Sequence, residues 1–379
     1  MRRLVTWAGF GAAIATAALP AYGAVLPDDR ADVMYHRYEG GGVTIDGPAL
    51  LVRTKFGEKY AVTGGAYVDM VSSASIDVMT TASPYKEERH QGNFGFDMLN
   101  GKSLYSVSYT RSDENDYIAN TASFDFSQDM FGDLTTVSFG YSQGWDVVRK
   151  RGDAAFSEDV NRRNYRVGLS QIITPTLMAG INYELITDEG FLNNPYRSVR
   201  YLDPTSAKGY SYEPERYPHT RTSNAIAINA RYFLPYRAAL HGEYRYYTDD
   251  WGIVANSIEV GYTHPWGKQW IFEAGLRWYD QSAADFYSDL YPRRNAQNFL
   301  ARDKELSSFN SQMLTLGVTY ELPPLGWKAI ERSTLNFYYD RIHYSYDDFR
   351  NLLEGGDPGS EPLYSYDADV FRLFLSGWF

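Results

Sequence analysis

Apolar and polar residues alternate along most of this chain. In residues 270–279, Trp270, Phe272, Ala274, Leu276 and Trp278 fall on one side of an extended backbone. Glu273, Gly275, Arg277 and Tyr279 fall on the other, with Ile271 the apolar exception. A period of two marks a β-strand, because successive side chains leave opposite faces. Trp at both ends of the apolar face, with aliphatic residues between, predicts a strand that crosses a bilayer. The same alternation recurs at residues 165–170, 225–232, 238–246, 257–262, 314–320, 335–340 and 371–379.

Sixteen such segments are predicted, near 32–39, 45–55, 60–71, 87–98, 103–111, 117–127, 134–145, 162–172, 177–186, 221–233, 238–248, 255–264, 270–280, 310–321, 333–344 and 369–379. The first hairpin, VMYHRYEGGGVTIDG, is weakly patterned, so fourteen or eighteen strands stay open. The connections alternate in length. Short turns such as FGEK (56–59), LNGK (99–102), TPT (174–176) and LPYR (234–237) are interleaved with longer polar segments near 73–86, 146–162, 187–220, 281–308 and 345–368. This predicts an all-β fold: a transmembrane antiparallel up-and-down barrel of about 16 strands, with short periplasmic turns and long extracellular loops. The competing architecture is a water-soluble β-sandwich, which would not need the alternation of turn lengths.

Other features of the chain narrow its compartment. Residues 1–23 have Arg2 and Arg3, an apolar run over 4–19, and the small-x-small stretch Ala21-Tyr22-Gly23. That layout predicts a cleaved secretory signal peptide, leaving 24–379 as one outer-membrane barrel domain in a Gram-negative bacterium. No later apolar run is long enough for a transmembrane helix. About seven residues separate the leader from the first strand, too few for a plug domain of the TonB-dependent kind. The chain has no cysteine, which removes disulfides, thiolate zinc, iron–sulfur clusters and covalent haem, and no cofactor is expected. Net charge is −11, and loss of the two leader arginines makes it −13. An acidic surface argues against nucleic acid as a partner. The 33 Tyr, 20 Phe and 8 Trp suit strands and membrane interfaces, with lipid the expected surroundings.

The last strand, FRLFLSGWF, places Phe371, Leu373, Leu375 and Phe379 on one face, predicted to meet lipid tails. An aromatic final residue on such a strand resembles the signal read by the barrel assembly machinery, although Gly377 stands where a bulky apolar residue is usual. The resemblance implies that machinery as a partner.

The opposite faces of the strands predict what lines the lumen. They carry Asp69, Asp97, Asp125, Glu184, Glu243, Glu259, Glu273 and Asp340, with Arg166, Arg231, Arg245, Arg277 and His241. Charges facing one another across a pore select solutes by sign; the alternative is that they pair and stiffen the barrel. Catalytic and metal-binding patterns are absent. The six His (36, 90, 219, 241, 264, 343) have no ligand spacing, and no nucleophile motif or phosphate loop appears, so a barrel hydrolase is the weakest reading. DENDY (113–117), YTDDWG (247–252) and YDDF (346–349) put carboxylates at loop tips, where calcium binding competes with simple solvation.

Four stretches, within 65–91, 160–204, 221–253 and 283–309, carry a family likeness, with DEGFLNNPYRSVRYLDP (188–204) the most specific. The chain resembles the outer-membrane barrels of domain of unknown function 3570. The resemblance implies an envelope barrel and no particular chemistry. Members are often encoded beside a small exported peptide, a thioredoxin-like protein and a flavin transferase, which implies a redox or flavin-linked partner as one option. Two long loops are dense in hydrogen-bonding groups: Asn193, Asn194, Tyr196, Arg197, Arg200 and Asp203 in one, Asp285, Asp289, Arg293, Arg294, Arg302 and Asp303 in the other. They are expected to fold inward and constrict the barrel, since structureless loops of this length are uncommon. The leading functional expectation is a porin-like channel or transporter for small solutes or ions. The alternative is a plugged barrel that anchors or exports a periplasmic partner peptide or protein.

Overall fold

The computed structural model describes residues 24–73, 76, 85–323 and 329–379. The leader predicted over 1–23 lies outside the described residues. Extended chain dominates: β1 (Arg30–Gly40), β2 (Val43–Phe56), β3 (Tyr60–Ser73), β4 (Tyr85–Asn100), β5 (Ser103–Asp113), β6 (Tyr117–Met130), β7 (Thr135–Lys150), β8 (Asp153–Thr174), β9 (Leu177–Gly190), β10 (Ser198–Leu202), β11 (Tyr210–Pro214), β12 (Thr220–Phe233), β13 (Ala239–Asp249), β14 (Val254–Trp266), β15 (Trp270–Gln281), β16 (Phe309–Glu321), β17 (Arg332–Arg350) and β18 (Leu363–Trp378). Sixteen of these form one closed antiparallel barrel, the number the alternation predicts. β10 and β11 pair only with each other. Each barrel strand pairs with its neighbours in sequence, β9 pairs with β12 across the inserted hairpin, and β1 closes on β18.

The pleat sorts the side chains. Val33 lies opposite Leu375 on one neighbour and Leu50 on the other, and all three are exposed. Phe94, Val107, Ile228 and Leu316 continue this band around the outside. Phe94 is 59% exposed and Val33 55%, values that would be costly in water and are natural against lipid. Phe371, Leu373 and Leu375 lie in the same band, and Phe379 is exposed just past the end of β18. The band, the closure and the strand lengths make this a transmembrane β-barrel. No helix among the described residues is long and apolar enough to cross a membrane.

Both ends of the barrel wall lie on the side of the tight turns, called here the terminal end. The opposite, loop end carries the segments 191–219, 282–308 and 351–362. One predicted loop is absent: residues 146–162 continue β7 and β8 as a tall hairpin turning at Arg151 and Gly152. Backbone pairing persists past the apolar band as far as Arg149 and Ser157, and the register shifts before Lys150 meets Asp153. The weakly patterned first hairpin turns on Gly41 and Gly42, with φ of 57° and 77°, and a two-residue turn of this hand favours glycine at both positions. Inside the barrel, a Cβ on Gly317 would stand 2.5 Å from the ring of Tyr338, so glycine there lets that ring lie across β16.

Candidate functional site

Three loops cover the loop end as one body, joined around Arg200 on β10. Its side chain is fully buried. Nε donates to the Asp289 carbonyl at 2.9 Å, Nη2 donates to Glu361 Oε2 at 3.0 Å, and the guanidinium forms ion pairs with both carboxylates. Arg302 Nε also donates to Asp289, at 3.0 Å, while its Nη2 donates to the Arg350 carbonyl at 3.1 Å and its guanidinium lies 4.5 Å over the Phe349 ring. Arg197 pairs with Asp303. Burial would raise the pKa of Glu361, but the bonds from Arg200 outweigh it and hold the carboxyl below its ordinary value. Backbone bonds add to the joint: Leu202 N–H donates to the Tyr291 carbonyl at 2.9 Å, and Arg216 and Leu300 exchange bonds of 2.9 and 2.7 Å. A buried arginine is tolerated when every donor finds an acceptor, and here the acceptors come from two other loops.

The remaining loop candidates divide. Asn193 donates to the Glu215 carbonyl at 2.9 Å and accepts from Tyr217 N–H at 3.1 Å. Asn194 is buried and accepts from Tyr196 N–H at 2.9 Å. The Tyr196 hydroxyl donates to Asp116 at 2.5 Å, fastening the cap to the turn after β5. Asp203 organises only the tip of its own hairpin, accepting from Ser211 Oγ at 2.6 Å. Asp285, Arg293 and Arg294 are exposed and take no part in the buried network.

In the lumen, most predicted charges are paired across strands. Asp125 accepts from Arg166 at 2.8 Å, Glu184 from Arg245 at 2.6 Å, and Asp340 from Arg372 at 2.6 Å. Asp97 accepts from Ser106 at 2.5 Å, and Glu273 accepts from the Tyr338 hydroxyl. Asp69 is buried between His36 (2.7 Å) and Arg89 (2.5 Å). His241 stands 3.9 Å from Glu259, Glu243 lies opposite Glu259 in register, and Arg231 lies opposite His241 near the terminal end. Arg277 forms no ion pair or hydrogen bond among the described residues, although Glu259 is its register partner. The sequence reading missed Arg89, the Asp146–Arg162–Asp188 cluster, the Arg221–Asp249 pair and Arg372. Asp146, Arg162 and Asp188 fall within or at the edge of the long polar segments 146–162 and 187–220, where no alternation marks a face.

Beneath the cap the lumen holds a cavity of about 550 Å³. Leu192, Asn194, Tyr217 and the 3₁₀ turn Lys304–Leu306 form its roof. Arg162, Arg221, Arg245 and Arg277 line one side, and Tyr344, Tyr346 and Tyr366 line another. Arg221 is held by Asp249 at 2.6 Å and lies 4.6 Å over the Trp251 ring. Tyr344 and Tyr366 stack at 4.7 Å. The acidic tips are engaged inside the protein: Asp116 with Tyr196, Asp249 with Arg221, and Asp348 with the Ser308 N–H at 3.1 Å. No group of three or more His, Asp or Glu suited to a metal occurs among the described residues.

A family model described as "Protein of unknown function (DUF3570)" matches residues 75–342. No curated protein matches the chain. Among solved structures, the outer-membrane protein OmpT of Vibrio cholerae is similar at 10% identity and a TM-score of 0.45, over 93% of this chain and 97% of that one. A Pseudomonas aeruginosa FadL homologue is similar at 10% identity and 0.45, over 94% and 91%. A bacterial polysaccharide outer-membrane secretin is similar at 6% identity and 0.48, over 93% and 100%.

Proposed function

The chain belongs to the family described as Protein of unknown function (DUF3570), and from that premise and the barrel's geometry we propose a loop-capped channel that admits one class of small solute across the outer membrane. Residues 1–23 are the export leader in this reading, the terminal end faces the periplasm, and the loop end faces outward. The observation that carries it is the buried Arg200–Asp289–Glu361 joint, which holds three loops over a lumen cavity lined by charged and aromatic side chains. An open sieve has no use for such a cover. A purely structural barrel has no use for a cavity lined by charged and aromatic side chains beneath it.

The test is planar-bilayer conductance of the purified chain beside a variant with the joint loosened, Arg200→Gln, and a second in which residues 284–305 are replaced by a short turn. Wild type should show small, brief openings, and both variants larger and longer ones. Silence in all three, with each barrel folded by its heat-dependent gel migration, would overturn the channel reading. It would favour the anchoring of an exported partner.

A further inference from the structure

We infer that the cavity beneath the cap is a binding site for a small aromatic carboxylate, held by Arg277. This deepens the channel reading by naming the solute class.

Among the four arginines that line the cavity, one stands apart; Lys304, which lies 5.8 Å over the Tyr366 ring, and Glu305 line it as well. Arg162 is 3.0 Å from Asp146, Arg221 is 2.6 Å from Asp249, and Arg245 is 2.6 Å from Glu184. Each of these guanidiniums already has a carboxylate. Arg277 has none among the described residues. Its register partner Glu259 stands 3.9 Å from His241 and forms no ion pair with Arg277, and its other register partner is Met313, which carries no charge. A half-buried guanidinium that lines a cavity without an ion-pair partner is a ready acceptor of one carboxylate, and its planar fork matches two oxygens at once. A single arginine fork, with the Glu305 carboxylate on the same cavity, suits a monoanion and not a phosphate dianion.

The surroundings of Arg277 specify the rest of the solute. Two residues along the same face is Tyr279, whose ring is 5.5 Å from Phe309. Phe309 is 5.2 Å from Tyr346, and Tyr344 stacks on Tyr366, so an aromatic bank runs from β15 to β18. An offset or edge-on ring gains roughly 0.5–1.5 kcal/mol from such partners beyond area burial. The cavity volume of about 550 Å³ fits a small molecule with a few waters. A cation beside an aromatic bank selects a flat apolar body with one carboxylate. A neutral sugar would leave the guanidinium unanswered, and acetate would leave the rings unused.

The experiment is calorimetric titration of the full chain in detergent with benzoate, benzamide, acetate and inorganic phosphate. Benzoate should bind saturably, with the other three about tenfold weaker or worse. Arg277→Gln should weaken benzoate about tenfold or more, Arg277→Lys should retain part of the affinity, and Arg231→Gln, altering a lumen arginine outside the cavity, should leave it unchanged. No saturable benzoate binding, equal binding to Arg277→Gln, or preference for acetate or phosphate would overturn the inference. Flux of benzoate into liposomes is measured separately. Binding without flux would sink the channel reading and leave the site standing; flux of other solutes without benzoate binding would do the reverse.

Discussion

Glu114, in the turn between β5 and β6, shows how one side chain can make the fold sensitive to pH. Burial pushes its carboxyl up to about 7; Arg89 opposes the shift, and Glu87, Asp69 and Asp116 add to it. A carboxyl that binds its proton more tightly in the folded than in the unfolded chain contributes stability at low pH. That contribution is lost as pH rises from the unfolded value of 4.5 through about 7. Wild type should therefore lose resistance to thermal unfolding between pH 5 and pH 8 relative to Glu114→Gln. Equal slopes for the two proteins would show that Glu114 does not titrate there. At this scale the sequence was legible where alternation was clean. It assigned Asp125, Glu184, Arg245 and Asp340 to the interior, and each meets a partner there. It could not reveal the partners, because Arg372 and Asp340 are adjacent only once β17 and β18 pair.

A strand's two faces obey different chemistry. Leu373 lies opposite Tyr35 and Phe337 in the outer band, while its neighbour Arg372 points inward to Asp340. Leu373→Arg should cost about 2–4 kcal/mol in urea unfolding from vesicles if this position lies near the bilayer midplane. A cost close to zero would mean that this face is not in lipid. The existence and order of the strands were readable because each carries its own period of two. Their upper limits were not. β8 runs for 22 residues, about twice what a bilayer requires, and its upper part, DAAFSEDVNRR, is rich in small and charged residues, so it resembles a loop in composition. The hairpin β10–β11 was hidden for a related reason: five-residue strands are too short to establish a period.

Over the whole molecule, the cap covers the loop end of the barrel and roofs the cavity in its lumen. The chain has no cysteine, so an introduced thiol reports its own surroundings. Ser257→Cys, lining the cavity, should react slowly with a small charged thiol reagent added to cells, and several-fold faster when Arg200→Gln loosens the cap. Ile258→Cys, in the lipid-facing band, should react only with a membrane-soluble reagent. Equal rates at position 257 with and without the joint would show that the loops do not control entry. The density of Arg, Asn and Asp in these loops is legible in the sequence, and of those residues Arg197, Arg200, Asp289, Arg302 and Asp303 enter the buried network. The joint itself is not legible, because Glu361 sits in a third loop that no motif connects to Arg200.

The seam between β1 and β18 has a consequence for how the molecule is made. Arg30 lies opposite Trp378, and Gly40 opposite Ala368, so the pairing that closes the barrel joins the most distant strands in the sequence. Every other barrel pair joins successive strands or, for β9 and β12, strands separated by one inserted hairpin, and each can form as soon as its two members exist. Until β18 arrives, the growing sheet presents two unpaired rims of backbone donors and acceptors. Bringing the ends together costs only a slowly growing loop entropy. The hazard is time: during that interval the free rim of a second copy offers the same hydrogen bonds as the proper partner. Whatever shields those rims until the last strand is in place therefore determines how much of the chain becomes monomeric barrel.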